Sequence, residues 1–368
     1  MENQLIIAPT LPLVADNGSS LRENVLSRSG YTGFAVYLAV VIFFSVSGNV
    51  TVILLYASNR SLHNVVNILL LNVSVADLSV AVLGTPVSFA ASAAGHWLLG
   101  PIGCTWYGFI CTLSGCAQIV GIAAVSLHRY FLVVKPFVAK RLTTGGALVC
   151  VGFTWVYSLA VALPPVLGWS EFTREGAGIS CSVSWHSGSR SYTFFIFTMI
   201  LAIPMAIILF SYSQILFTVK KMAKCQVSNQ RSREAEKKVT IMIIVMVLTF
   251  LVAWTPYAAL SLYMALGGDS VSITPLTATL PSMFAKASTT YNPVIYFLLH
   301  KKFRKALLQT FSRRNRDRSL HISPTESILA RKVPIGCQGR NMSTNKPRMD
   351  QRIQLAGACI IPPMQFGN

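Results

Sequence analysis

Ser282-Met283-Phe284-Ala285-Lys286-Ala287-Ser288-Thr289-Thr290-Tyr291-Asn292-Pro293-Val294-Ile295-Tyr296 decides how this chain folds. It lies in the last of seven apolar runs, at roughly 34–56, 67–92, 103–134, 146–168, 191–218, 238–265 and 274–298. A helix needs about 20 such residues to cross a bilayer. The pattern predicts an all-α membrane protein, a seven-helix transmembrane bundle. Lys286 stands 12 residues from either end of its run, roughly 18 Å at 1.5 Å per residue. A lysine stem does not snorkel that far, so the amine must be paired or put to use.

Composition agrees. Hydrophobic residues make up 53% of the 368 and charged residues 12%, about half the charged share of soluble domains. A net charge of +19 suggests nucleic acid until it is located. Residues 301–368 hold 14 Lys/Arg against 3 Asp/Glu, and residues 220–238 hold 7 against 2. Those two segments account for most of the excess. They fit the rule that cytoplasmic segments of membrane proteins are basic, and nucleic acid is not an expected partner. Arg60, Lys135, Lys140 and Arg141 fall in loops on that same side, whereas Glu171, Arg174, Glu175, Arg190 and Asp269 mark the other. The expectation is a multi-pass plasma-membrane protein with its N-terminus outside and its C-terminus in the cytoplasm.

Four segments follow. Residues 1–33 form an extracellular tail with a glycosylation sequon at Asn17. Residues 34–299 form the bundle. Residues 300–312 form an amphipathic helix on the inner membrane surface, with Phe303, Leu307 and Phe311 between cations. Residues 313–368 form a basic, disordered cytoplasmic tail. The eight cysteines follow no zinc or redox spacing. Cys111, Cys116 and Cys150 lie in apolar stretches and read as inert core. Cys104 and Cys181 fall on the outer, oxidising side and are the expected disulfide pair.

The polar groups inside the apolar runs need an account, because lipid makes them expensive. They are Asn49, Asp77, His128-Arg129-Tyr130, Trp254-Thr255-Pro256-Tyr257 and Asn292-Pro293 through Tyr296. Proline at 256 removes a backbone hydrogen bond and permits a bend. For Lys286, desolvation favours the neutral amine, the nucleophile that condenses with an aldehyde. Pairing with an acid, or with an anionic ligand, remains open on chemistry alone.

Taken in order, with Trp155 and Pro204 on the fourth and fifth runs, these residues resemble the rhodopsin-like G-protein-coupled receptors over residues 34–311. A lysine six residues before Asn292-Pro293 resembles the retinal-binding lysine of animal opsins. The resemblance implies a light sensor that carries 11-cis-retinal covalently, as a protonated Schiff base on Lys286, and is not an enzyme. It implies a pocket that includes Tyr107, Gly115, Trp254 and Tyr257, and a loop counterion at Glu175, because Tyr107 stands where vertebrate visual opsins have a glutamate. Asp77 and Asn49 match a sodium- and water-lined site. Arg129, Tyr130, Tyr212, Asn292, Pro293 and Tyr296 match the residues that couple to a heterotrimeric G protein, with arrestin and a receptor kinase as further partners. His128 departs from the family's acid, and Glu236 is the candidate substitute. No cysteine follows Phe311 closely, Cys337 being distant, so the resemblance does not carry over the palmitoyl anchor of many relatives. The pattern tilts toward a non-visual, neuropsin-like branch. The competing readings are a retinal photoisomerase and a receptor for a diffusible ligand.

Overall fold

The computed structural model describes residues 26–139, 142–185, 190–224, 230–266 and 273–321. Two compact units divide the chain, Met1–Asn315 and Arg316–Asn368. The bundle belongs to the first. Of the second, only the end of the last helix falls among the described residues.

Seven long helices form the bundle. The first is Arg28–Ser58. The second runs over Val65–Ala94 through a π-helical turn at Val80–Gly84. The third is Gly100–Val134 and the fourth Thr144–Ala162. The fifth runs from Arg190–Phe197 through a π turn, Thr198–Ala202, into Ile203–Lys224. The sixth is Gln230–Ala265 and the seventh Pro275–Leu299. A surface helix, Lys301–His321, follows. It runs beyond the segment expected at 300–312, and the first helix begins six residues before 34. Helices suit a bilayer because they satisfy every backbone group internally.

Polar caps set the starts. Ser27, Asn64, Thr143 and Thr274 each accept the backbone N–H three residues on, at 3.1–3.2 Å, which satisfies a donor the helix leaves unpaired. The third helix is the hub, packed against the second, fourth and fifth; the seventh packs against the sixth and the first.

Among the described residues, six helices are apolar enough by hydropathy to cross a membrane. The seventh is not among them, and the structure gives the reason. Its polar residues face inward: Thr279, Ser282, Lys286, Ser288, Thr289 and Asn292 are all buried. Several also bond to their own helix. Ser288 Oγ donates to the Ala285 carbonyl at 2.7 Å and Thr289 Oγ1 to that of Lys286 at 2.9 Å. The span is less apolar than the other six, but the polar groups named above are hidden from lipid.

Between the fourth and fifth helices a hairpin of β1 (Phe172–Glu175) and β2 (Ser180–Val183) lies across one end of the bundle. The Cys104–Cys181 disulfide, with a Cα–Cα distance of 5.5 Å, fastens β2 to the third helix.

Candidate functional site

Lys286 lines a cavity of about 150 Å³ between the third, fifth, sixth and seventh helices, with β2 above it. One water needs only about 10–15 Å³, so the space suits an organic ligand. Tyr107, Gly115, Glu175, Trp254 and Tyr257 line the same cavity. Fold and loop thus bring together all six residues singled out in the sequence, from four separate elements.

The Lys286 end is closely built. The side chain is 9% exposed, and its Nζ lies 5.9 Å from the centroid of the Tyr107 ring. The Tyr107 hydroxyl is 2.6 Å from Ser88 Oγ, and Trp97 packs edge-on against its ring at 5.4 Å. A neutral, pinned phenol therefore borders the amine. Cys111 packs against buried core residues, as expected, and also lines this cavity. Helical spacing puts it one turn from Tyr107, on the same face, a sequence signal that was available.

Glu175 reaches the cavity because the hairpin holds it there. Its Oε1 accepts from Ser180 Oγ at 2.8 Å, and its Oε2 accepts from the Tyr257 hydroxyl at 3.2 Å. Among the described residues it makes no direct ion pair with Lys286. The hairpin is tied on three sides. Phe172 fills the space that a side chain at Gly108 would need. Thr279 Oγ1 accepts from the Ala177 backbone N–H at 2.8 Å. The Ala177 carbonyl accepts from Tyr31 at 3.1 Å. Gly176 turns the chain with φ +54°, and a side chain there would strike Thr279. Glu171, the neighbouring acid in the same loop, is exposed.

Trp254 forms the floor. Its Nε1 donates to Ser288 Oγ at 3.2 Å, Phe250 stacks on it at 5.6 Å, and Tyr257 meets it edge-on at 6.2 Å. Gly115 makes room: a Cβ there would lie 3.1 Å from Trp254 Cη2. Pro256, inside the sixth helix, sits between these two aromatics in sequence. Phe197 also lines the cavity, whereas Phe195 packs on Trp169 and Tyr192.

Toward the Arg129 end lies a buried polar trio. Asp77 accepts from Gln118 Nε2 at 2.6 Å on one oxygen and from Asn292 Nδ2 at 2.9 Å on the other. Gln118 was not foreseen. Asn49 donates instead to the carbonyls of Ser45 and Thr289, at 2.9 and 3.0 Å. Asn72 accepts from Trp155 at 2.9 Å. Arg129, Tyr212 and Tyr296 are buried at this end. Tyr130 is half-buried against Phe210 at 5.3 Å. Pro293 packs so close to Gly48 that a Cβ on Gly48 would lie 2.9 Å away. His128 is half-buried, with Nδ1 lacking a hydrogen-bond partner among the described residues. Asn17 and the side chains of Glu236 and Phe311 lie outside the described residues.

Comparison with known proteins agrees with this fold. The family "7 transmembrane receptor (rhodopsin family)" matches residues 48–296. Pineal opsin of Petromyzon marinus is 36% identical over 282 residues, 76% of this chain and 63% of that protein. Pinopsin of Columba livia is 35% identical over 285 residues, 77% of this chain and 81% of that protein. The crystal structure of squid rhodopsin superposes with a TM-score of 0.73 at 29% identity, covering 80% of this chain and 91% of that one.

Proposed function

The chain belongs to the rhodopsin family of seven-transmembrane receptors, among the opsins, and from that premise we propose that it is a light-sensing G-protein-coupled receptor that carries retinal covalently on Lys286. One observation carries the reading: a lysine buried in the middle of a membrane helix, facing an aromatic cavity that also holds a carboxylate. The residues present fit the ligand. Lys286, Gly115 and Trp254 all line the cavity, and apolar or aromatic side chains line most of it.

When bound, 11-cis-retinal supplies an aldehyde for the amine and a polyene that light isomerises. The protein's groups do the rest. Lys286 offers the amine that condenses with the aldehyde. Glu175 contributes the negative charge that a cationic linkage at Lys286 requires. Ser180 and Tyr257 orient that carboxylate by binding both of its oxygens. Tyr107, held by Ser88, lies beside the amine without adding charge. The hairpin and its disulfide exclude water from above. Trp254, wedged against Gly115, senses a change of shape in the cavity, and Pro256 lets the sixth helix respond. Light supplies the energy that distinguishes the two states, as any population shift demands. A heterotrimeric G protein then meets the Arg129 end of the bundle, the cytoplasmic side of the plasma membrane, with arrestin and a receptor kinase acting on the same face.

The test is reconstitution with 11-cis-retinal, an absorption spectrum, and reduction with borohydride. The expected result is a stable adduct on Lys286 and none on Lys286→Ala. No adduct on the native chain, or an equal one on Lys286→Ala, overturns the reading. Light-dependent nucleotide exchange on a G protein separates a receptor from a retinal photoisomerase, which would turn over retinal without it.

A further inference from the structure

Gln118 belongs to two sites at once. It lines the Lys286 cavity, one turn along the third helix from Gly115, on the same face. Its Nε2 donates to Asp77 at 2.6 Å, while no hydrogen bond reaches its Oε1 among the described residues. The other oxygen of Asp77 accepts from Asn292 on the seventh helix at 2.9 Å. Gln118, Asp77 and Asn292 are all at most 3% exposed, and in such surroundings linked hydrogen bonds strengthen one another. The resemblance implies a sodium- and water-lined site at Asp77 and Asn49, and the residues present do not fit the ion. Hard cations take oxygen ligands. Here N–H hydrogens meet both oxygens of Asp77, and Asn49 turns to the carbonyls of Ser45 and Thr289, at 2.9 and 3.0 Å.

We propose that Gln118 is a positioning residue that couples the Lys286 cavity directly to Asp77, its tethered amide standing where a cation would bind. A side-chain amide is planar for the reason a peptide is, so what displaces one end turns the other. A change of shape in the cavity presses on Gln118, the amide turns against Asp77, and Asp77 passes the change to Asn292 on the seventh helix. This route does not run through Trp254 and Pro256. It rests on the reading of the cavity as the retinal site. A chain of contacts is not yet a route; a coupling energy between its ends makes it one.

The full chain is regenerated with 11-cis-retinal, and loss of retinal in the dark is followed by the recovery of tryptophan fluorescence. Asp77→Asn weakens the acceptor without changing its shape. It is expected to speed release about three- to thirtyfold. Gln118→Met keeps the length of the side chain and drops its bond to Asp77. In that background Asp77→Asn should alter release by less than about twofold. A merely structural role for Gln118 leaves the two changes additive. An effect of Asp77→Asn that persists in Gln118→Met overturns the proposal, because the seventh helix alone then carries the coupling. Gln118→Leu replaces Gln118→Met if that variant misfolds. A second arm uses the retinal-free chain, heated in sodium and in potassium at equal ionic strength. Gln118→Ser exchanges the amide for a small hydroxyl oxygen and vacates space beside Asp77. Sodium should then raise Tm by about 2–5 °C, with no such rise in the native chain. A sodium-specific rise in the native chain, or none in Gln118→Ser, overturns the place given to the amide. Failure to form pigment counts against the retinal reading and leaves this second arm to decide the proposal.

Discussion

Gln118→Leu removes the donor that meets Asp77 at 2.6 Å and leaves the other oxygen bonded to Asn292 at 2.9 Å. Asp77 is 1% exposed and Gln118 3%, so water does not replace the lost donor. A buried oxygen stripped of its partner costs about 1–3 kcal/mol. Interhelical hydrogen bonds measured in a membrane protein average about 0.6 and reach about 1.7 kcal/mol. A loss of about 1–2 kcal/mol is therefore expected, or a fall in Tm of roughly 2–8 °C for a bundle of this size. Asp77→Leu in the same background removes the stranded oxygen as well. The pair should cost less than the sum of its parts by about 1 kcal/mol. Thermal unfolding of the purified chain, followed by intrinsic fluorescence, reads all four members of the cycle. A Gln118→Leu protein within about 0.5 kcal/mol of the native one, or strictly additive changes, refutes the reasoning. The trio carries a second consequence. Both oxygens of Asp77 face N–H donors, which repel a cation. Replacing potassium by sodium at constant ionic strength should leave Tm unchanged, and a sodium-specific rise would show that the amides yield to an ion.

Burial, with Arg129 and Lys302 nearby, lowers the His300 pKa to about 4, and its Nδ1 accepts from the Phe303 backbone at 3.4 Å. The neutral ring is the folded form, so its contribution to stability is complete above about pH 6.5 and is lost as pH falls toward 4. Near pH 5 the loss is about 2 kcal/mol, read as a Tm decrease that His300→Phe should abolish. Gly115→Leu drives a side chain into Trp254, where even a Cβ lies at 3.1 Å; pigment yield with 11-cis-retinal should collapse, and normal yield would remove Gly115 from the pocket wall. Glu175→Gln removes the counter-charge and should move absorption at neutral pH toward the near ultraviolet, so an unshifted spectrum would exclude Glu175 as counterion. His128→Glu gives Arg129 a carboxylate neighbour and should lower G-protein turnover in the dark; unchanged turnover would refute a role for His128 in dark activity.

Sequence alone determined the bundle. Seven apolar runs of sufficient length leave a membrane chain no alternative to helices, since lipid offers backbone groups no partners. The same reasoning made Lys286 conspicuous, because an amine so far from either surface needs a purpose. What sequence did not determine was which residues meet across the bundle. Glu175 is a loop acid like Glu171 until the hairpin, the disulfide and the contacts to Thr279 and Tyr31 hold it over the cavity. Gln118 is one polar residue in a long helix until the third helix packs against the second and turns it to Asp77. The hydropathy of the seventh helix misleads for the same reason: its polarity is cancelled by neighbours far away in the chain. Local spacing fixes what one element looks like. Only packing between elements, set by all seven at once, decides which polar groups are satisfied and which face the cavity.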